Sequence, residues 1–383
     1  MNNLEIAAYY FPQWHADPRN NKWHGHGWTE WELVKAAGPR YPGHRQPVEP
    51  AWGCFDESDP EWSAREIDLA ARSGLTAFIY DYYWYEDGPF LNRALDEGFL
   101  HASNRQQMKF ALMWANHDWH NWFPIRLSDN AWRDAMLIDG KVTAAGFARF
   151  TEKVIGEYFS QSNYLRVEGK PYFSIYNLGT FINGFEGLEG AVKALDGFRQ
   201  AADESGYGGL HLNAVVGRFG KSSPIGEIIE RLGIDSVASY NWIDHYPIHA
   251  DTFPRGSYEK AMKANIAAWP GLAKEHGVPY IANVTTGWDS SPRCCPTDRY
   301  ENRGYPWLPI LEGNTPQAFA EALQAMKDYF AKEKPRLPMF TINAWNEWTE
   351  GAYLLPDKFD GTSRLEGLKR VFGSTRLAVT ENA

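Results

Sequence analysis

Eight short runs rich in β-branched and aromatic residues recur along the chain, and most are followed by a loop and then a stretch with apolar residues at helical spacing. The runs are Ile6–Phe11, Thr76–Trp84, Lys109–Asn116, Pro171–Asn177, His211–Gly217, Ser236–Trp242, Tyr280–Trp288 and Met339–Trp348. Helical spacing marks Pro60–Ser73, Phe90–Gln106, Gly146–Ser160, Ile225–Leu232, Tyr258–His276, Pro316–Lys332 and Ser363–Phe372. Asp59-Pro60 and Thr315-Pro316 each set a capping side chain before a proline at the first helical position, which marks two helix starts. Strand alternating with helix implies a parallel sheet, and eight units favour closure. The expected fold is therefore α/β, a (β/α)₈ TIM barrel with long βα loops, forming a single domain over residues 1–383. An open doubly wound sheet is the alternative. Against it, no G-x-G-x-x-G stands at a strand-to-helix turn and no G-x-x-x-x-G-K-[ST] occurs, so a nucleotide crevice has no support.

The 38 basic and 48 acidic residues give a net charge of −10, with no basic cluster, which argues against nucleic acid or an anionic membrane surface as partner. No apolar run is long enough to span a bilayer, so membrane insertion is not expected. Cys54, Cys294 and Cys295 lack C-x-x-C spacing, so neither a disulfide framework nor a zinc site is read, and no metal or cofactor is expected. No export signal is visible at Met1-Asn2-Asn3-Leu4-Glu5, and the expected location is cytoplasmic. The unusual feature is aromatic content: 17 Trp, 20 Tyr and 21 Phe. Flat apolar faces with polar edges suit sugar rings, although a large aromatic core accounts for the same count.

In such a barrel the functional groups lie at the C-terminal strand ends and the loops beyond them. Those ends are polar and aromatic: Gln13 and His15 after the first run, Asp81 and Tyr83 at the second, Asn116, His117 and Asp118 after the third. Tyr176 and Asn177, Asn241 and Trp242, Trp288 and Asp289, and finally Asn346, Glu347 and Glu350 follow. Within the runs, Tyr10 and Trp114 are further candidate sugar contacts.

The last run carries the most chemistry. Glu347 and Glu350 stand three residues apart in Trp345-Asn346-Glu347-Trp348-Thr349-Glu350-Gly351. On a continuing strand that odd spacing sends the side chains to opposite faces, so the backbone has to turn near Trp348 or Thr349 for them to converge. Gly351 permits such a turn, and a helix-like one makes i and i+3 neighbours. Glycoside cleavage needs two carboxyl groups, an acid for the leaving oxygen and a second group that attacks or activates the attacker. Flanking Trp345 and Trp348 are expected to desolvate the pair and raise one pKa. The alternative is a structural ion pair with Arg or Lys at the rim.

Other candidates lie in loops. Trp28 and Glu30 sit in Trp23-His24-Gly25-His26-Gly27-Trp28-Thr29-Glu30-Trp31, where His24 and His26 lack the carboxylates of a metal site and suit hydroxyl recognition. His44 and Gln46 offer hydrogen bonds to sugar hydroxyls or to their own loop. Asp289 and Arg293, close in sequence, form either a buried brace or substrate contacts. His117 and Asp118 are spare acid/base candidates, although adjacent residues on an extended chain point apart.

Five stretches in order carry a resemblance: Tyr9-Tyr10-Phe11-Pro12-Gln13-Trp14-His15, Gly27-Trp28-Thr29-Glu30-Trp31, Gly43-His44-Arg45-Gln46-Pro47, Gly287-Trp288-Asp289 with Pro292-Arg293, and Trp345 to Gly351. On these the chain resembles the glycoside hydrolase family 99-like proteins of the WbsX type, found in bacterial surface-polysaccharide gene clusters and often labelled glycosyltransferases. The resemblance implies a barrel related to endo-acting α-mannosidases, acting on a carbohydrate, with Glu347 as the base that deprotonates the sugar's own 2-hydroxyl and Glu350 as general acid/base. The implied route passes through a 1,2-anhydro sugar with net retention, and needs O2 anti to the leaving group, as in α-manno or α-rhamno sugars. Where WbsX-type relatives have Asn-Glu-aromatic, this chain has Asn116-His117-Asp118-Trp119, which implies a different subsite.

Overall fold

A computed structural model of the protein describes residues 4–121, 135–217 and 225–373. Eight parallel strands form its centre: β1 (Glu5–Tyr10), β2 (Ala77–Tyr85), β3 (Lys109–Trp114), β4 (Lys170–Ile175), β5 (His211–Val215), β6 (Ser236–Ala238), β7 in two pieces (Tyr280–Ile281 and Asn283–Thr285) and β8 (Met339–Asn343). Neighbours pair in chain order from β1 to β6. The first piece of β7 pairs with β6 and the second with β8, which pairs with β1, so the sheet closes into a (β/α)₈ barrel. The interruption at Ala282 keeps its place in the ladder, since its carbonyl accepts from Thr341 N at 3.0 Å. Polar side chains tie adjacent strands where each would otherwise be unsatisfied: Ser174 to Asn213, Asn213 to Ser236, and Asn283 to Thr341.

Among the described residues, seven helices of eight residues or more surround the strands: α1 (Pro60–Ser73), α2 (Ala144–Lys153), α3 (Leu188–Ala202), α4 (Ile225–Leu232), α5 (Tyr258–Glu275), α6 (Pro316–Glu333) and α7 (Ser363–Phe372). The caps read from sequence are present: Asp59 accepts from Glu61 N, and Thr315 from Ala318 N. Helix α3 escaped the sequence reading. Its buried stripe of Ala191, Leu195, Phe198 and Ala202 is regular, but Gly190 and Gly197 dilute its helical signal. The expected helix over Phe90–Gln106 is instead a hairpin strand, Gly88–Phe90, followed by short helical turns of π and 3₁₀ type. Within these turns Gly98 packs against the Glu57 carbonyl, where a Cβ would clash. Several strands end earlier than their apolar runs. The residues beyond Ala238, Thr285 and Asn343 leave the ladder and turn, and these turning segments carry polar side chains to one end of the barrel.

Most of the aromatic residues belong to the core. Trp14, Trp114, Trp242, Trp269, Trp288, Trp345 and Trp348 are among the largest fully buried side chains. Among the described residues, no helix is long and apolar enough to cross a membrane.

Candidate functional site

At the C-terminal ends of the strands lies a cavity of about 550 Å³, and residues at or just after all eight strands reach it: Phe11, Asp81, Ala115, Tyr176, Val215, Tyr240, Trp288 and Glu347. The geometry after β8 explains how two glutamates three apart share one wall. Asn346–Glu347 pairs antiparallel with Ala352–Tyr353, a single 3₁₀ turn spans Trp348–Glu350, and Gly351 closes it at φ 64°. That left-handed position favours glycine, and the space does too, since a Cβ there would sit 2.8 Å from Asp289 Cβ. The helix-like turn expected from the spacing is the one observed, and both Glu347 and Glu350 line the cavity.

Arg293 joins the pair. It donates to Glu350 Oε1, stands 3.6 Å from Glu347 Oε1, and lies 3.5 Å from Glu30 Oε2 behind them. Tyr305 donates to Glu350 Oε1 at 2.9 Å, and Thr349 donates to Glu30. Burial works against the guanidinium charge, but Glu30, Tyr305, Glu350 and Glu347 outweigh it and hold Arg293 protonated. Burial pushes the Glu347 carboxyl well up from the usual carboxylate range, with Glu350 and Asp81 adding to it and Arg293 opposing. Glu30 is also raised, chiefly by burial. The desolvation comes from the whole wall rather than from the flanking tryptophans: Trp345 turns away to donate to Glu66, and Trp348 stacks on Tyr353 at 4.1 Å.

On the opposite side of Glu347, the Tyr240 hydroxyl lies 2.8 Å from Asp81 Oδ2 and 3.0 Å from Glu347 Oε2. Asn343 Nδ2 approaches the same Glu347 oxygen at 3.4 Å. Asp81 is raised well above the usual carboxylate range by burial, which its bond with Tyr240 only partly offsets.

Of the residues read from sequence as sugar contacts, Asp81, Tyr83, Tyr176, Asn241, Trp288 and Arg293 line the cavity. Glu30, His44, Gln46 and Asp289 stand behind its wall. His44 Nε2 lies 2.9 Å from Asp289 Oδ2 and Gln46 donates to the same oxygen at 2.7 Å. Against burial, these bonds and one from Ser291 N hold the Asp289 carboxyl below its usual range. Of the two alternatives read for Asp289 and Arg293, the brace between them is not formed. Arg293 turns to the glutamates, while Asp289 N bonds the Glu350 carbonyl at 2.6 Å.

The remaining candidates do not line the cavity. Tyr10 and His15 bond Glu66 and Glu57, on the α1 side of β1. Asn346 bonds both backbone groups of Phe11, and Asn116 those of Asn177. Trp28 packs on His24 at a tilt, Trp114 on Phe147 and Phe150, and Trp242 on Tyr258. Polar type and position at a strand end could not separate these from cavity residues, because a strand end has two faces and one of them meets the helices.

His117 and Asp118 do reach the cavity, beside Trp119, whose ring stacks on His117 at 5.7 Å. Sequence reasoning missed Tyr240, Tyr305, Trp119 and Asp244 on the wall. Tyr240 had a signal, since it directly precedes Asn241 after β6, whereas Tyr305 lies in a long loop without periodicity. Among the described residues, no group of three or more His, Cys, Asp or Glu is placed to hold a metal ion.

The fold is similar to that of solved structures. The GH99 endo-α-mannosidase from Bacteroides thetaiotaomicron is 14% identical with a TM-score of 0.55, covering 98% of each chain. A glycoside hydrolase-like protein is 15% identical with a TM-score of 0.58, over 97% of this chain and 94% of that one. The chain belongs to the family described as Glycosyltransferase WbsX, whose sequence profile matches residues 6–368. In Xanthomonas campestris pv. campestris, the uncharacterized protein WxcX of two strains is 27% identical over 98% of this chain. The chain spans about half the length of these curated relatives, 50% in each case.

Proposed function

We propose that the protein is a retaining glycoside hydrolase acting on an α-linked, manno- or rhamno-configured polysaccharide or oligosaccharide, with Glu347 as base and Glu350 as general acid/base. The observation that carries this reading is the meeting of Glu347 and Glu350 on one cavity wall around a single guanidinium. Among the described residues, three carboxyl groups, Glu30, Glu347 and Glu350, face that one cation, so their full ionisation would leave an excess of buried negative charge there. A resident proton relieves it, which is what a general acid needs at neutral pH. Glu347 takes the proton of the sugar's 2-hydroxyl as O2 attacks the anomeric carbon, while Glu350 protonates the leaving oxygen. Water then opens the 1,2-anhydro sugar, giving its proton to Glu350 as Glu347 returns one to O2. The fold of the GH99 endo-α-mannosidases and membership of the WbsX family support a glycan as substrate.

The family's description as a glycosyltransferase favours a second reading, in which an acceptor sugar replaces water in the second step. The experiment is mass-spectrometric product analysis of wild type, Glu347→Gln and Glu350→Gln with α-mannosides, α-rhamnans and α-glucans, without sugar nucleotide. The expected result is release from manno- or rhamno-configured substrates, falling roughly 10²–10⁴-fold in either variant. Lengthened products would support transfer. Equal turnover in the variants, or equal release from α-glucans, would sink the proposed route.

A further inference from the structure

The trio Asp81, Tyr240 and Glu347 has one hydroxyl hydrogen for two carboxyl groups. The Tyr240 oxygen is within hydrogen-bond distance of both, at 2.8 Å and 3.0 Å, and a phenol can donate only once. Two ionised carboxylates would leave one of these short buried contacts as oxygen against oxygen with no proton between them. A second proton therefore belongs to the trio, and the donors around each end locate it. Glu347 receives Asn343 Nδ2 and has Arg293 3.6 Å away. Among the described residues, the donor to Asp81 is Tyr240 alone. The Asp81 Oδ1 is buried on the cavity wall without a hydrogen-bond partner among the described residues. An ionised carboxylate with a bare oxygen is the costlier of the two, so the charge belongs on Glu347 and the proton on Asp81.

We propose that Asp81 is a neutral carboxylic acid that donates to the Tyr240 oxygen, thereby directing the single Tyr240 hydrogen onto Glu347 and keeping Glu347 ionised as a base. Asp81 and Tyr240 are positioning residues in this scheme, which rests on the reading of Glu347 as base. The other titratable groups acting on Asp81 are Tyr9 on β1, Tyr83 on β2, Glu350 on the turn after β8 and Arg293. Burial raises both tyrosines, so they stay neutral, and Glu350 disfavours a charge on Asp81. Burial raises Asp81 as it raises Glu347, and Arg293 opposes both, so it is the hydrogen-bond donors rather than burial that separate the two carboxyls.

Asparagine at this position imitates the neutral acid, because its N–H₂ can donate to the Tyr240 oxygen as the acid does. Asp81→Asn is expected to keep kcat/KM within about tenfold of wild type, and Asp81→Leu to lose roughly ten- to a hundredfold more. Tyr240→Phe is expected to raise the acid limb of the kcat/KM profile by about one to two pH units, through loss of a bond to the charged form of Glu347. Infrared difference spectra supply a readout that does not need turnover. At about pH 7, wild type minus Asp81→Asn should contain a carboxylic acid C=O band rather than a carboxylate pair. A carboxylate pair in that difference, or an acid band lost in Glu347→Gln and kept in Asp81→Asn, would overturn the proposal, as would Asp81→Asn activity as poor as that of Asp81→Leu. If wild type cleaves no glycoside, the hydrolase reading fails by itself, and the infrared comparison still decides where the proton resides.

Discussion

Arg293 is the residue on which the carboxylate wall depends. It is buried, contacts Glu350 directly, and lies within 3.6 Å of Glu347 and 3.5 Å of Glu30. Removing the cation while leaving its partners is the costly way to break a buried pair, so Arg293→Met should destabilise the fold by about 3–5 kcal/mol in denaturant unfolding. The pH dependence has a definite sign. In the variant, Glu30 and Glu347, already raised by burial, rise further, so the folded form holds protons that the unfolded form releases. Its deficit should therefore shrink on acidification and grow as pH rises through that raised range; a deficit constant between about pH 5 and 8 would contradict this account. The motif glutamates and Arg293 were legible as chemistry-bearing residues, but their mutual contact was not. Proximity in sequence pointed Arg293 toward Asp289, and only the packed loops show that it turns the other way.

At the scale of elements, α1 is fastened to the barrel by a buried carboxyl. Glu66 accepts from Tyr10 of β1 at 2.9 Å and from Trp345 at 3.1 Å. Burial, with Glu57 nearby, pushes its pKa up to about 8. The folded state thus keeps a proton that the unfolded chain loses near the ordinary glutamate value of 4.5. This contribution to stability is complete below the unfolded value and is lost as pH rises toward 8. Glu66→Gln should remove that part of the slope, an effect on the order of a few kcal/mol between about pH 5 and 8. Parallel stability profiles for wild type and variant, from denaturant unfolding at a series of pH values, would exclude Glu66 as the titrating group. Helix α1 itself was readable to its ends, since Asp59, Pro60 and the apolar spacing all agree. What its glutamate touches was not, because Glu66 on an otherwise amphipathic helix looks like any surface acid.

For the molecule as a whole, closure of the sheet through the two pieces of β7 brings residues from eight separate strand ends to one mouth. The described part of that mouth is acidic even with Asp81 neutral, since Asp118, Asp244, Glu347 and Glu350 stand against Arg293, on a chain whose net charge is −10. A neutral glycan gains nothing from that field and a polyanionic one is repelled by it. The KM for a neutral oligosaccharide should then be nearly unchanged between about 50 and 300 mM salt, while a uronate-bearing analogue should bind better at the higher salt, as screening shortens the reach of the field. A strong salt dependence for the neutral substrate would contradict this picture. The eightfold recurrence made the barrel legible from spacing, and most strand lengths were overestimated for a physical reason: the last residues of those runs leave the ladder, several of them to line the cavity, whereas β2 continues to Tyr85, one residue past its expected end.

The sequence alone determined the class of fold, two helix starts, the turn at Gly351 and the two glutamates whose spacing demands that turn, because each follows from local periodicity or backbone geometry. The tertiary structure decided which strand-end side chains face the cavity and which face the helices, that Arg293 serves the glutamates rather than Asp289, and that Tyr240 sits between Asp81 and Glu347. Those relations join residues far apart in the chain, 159 positions between Asp81 and Tyr240 and 107 between Tyr240 and Glu347. Spacing along the chain carries no record of such distances; closure of the barrel sets them.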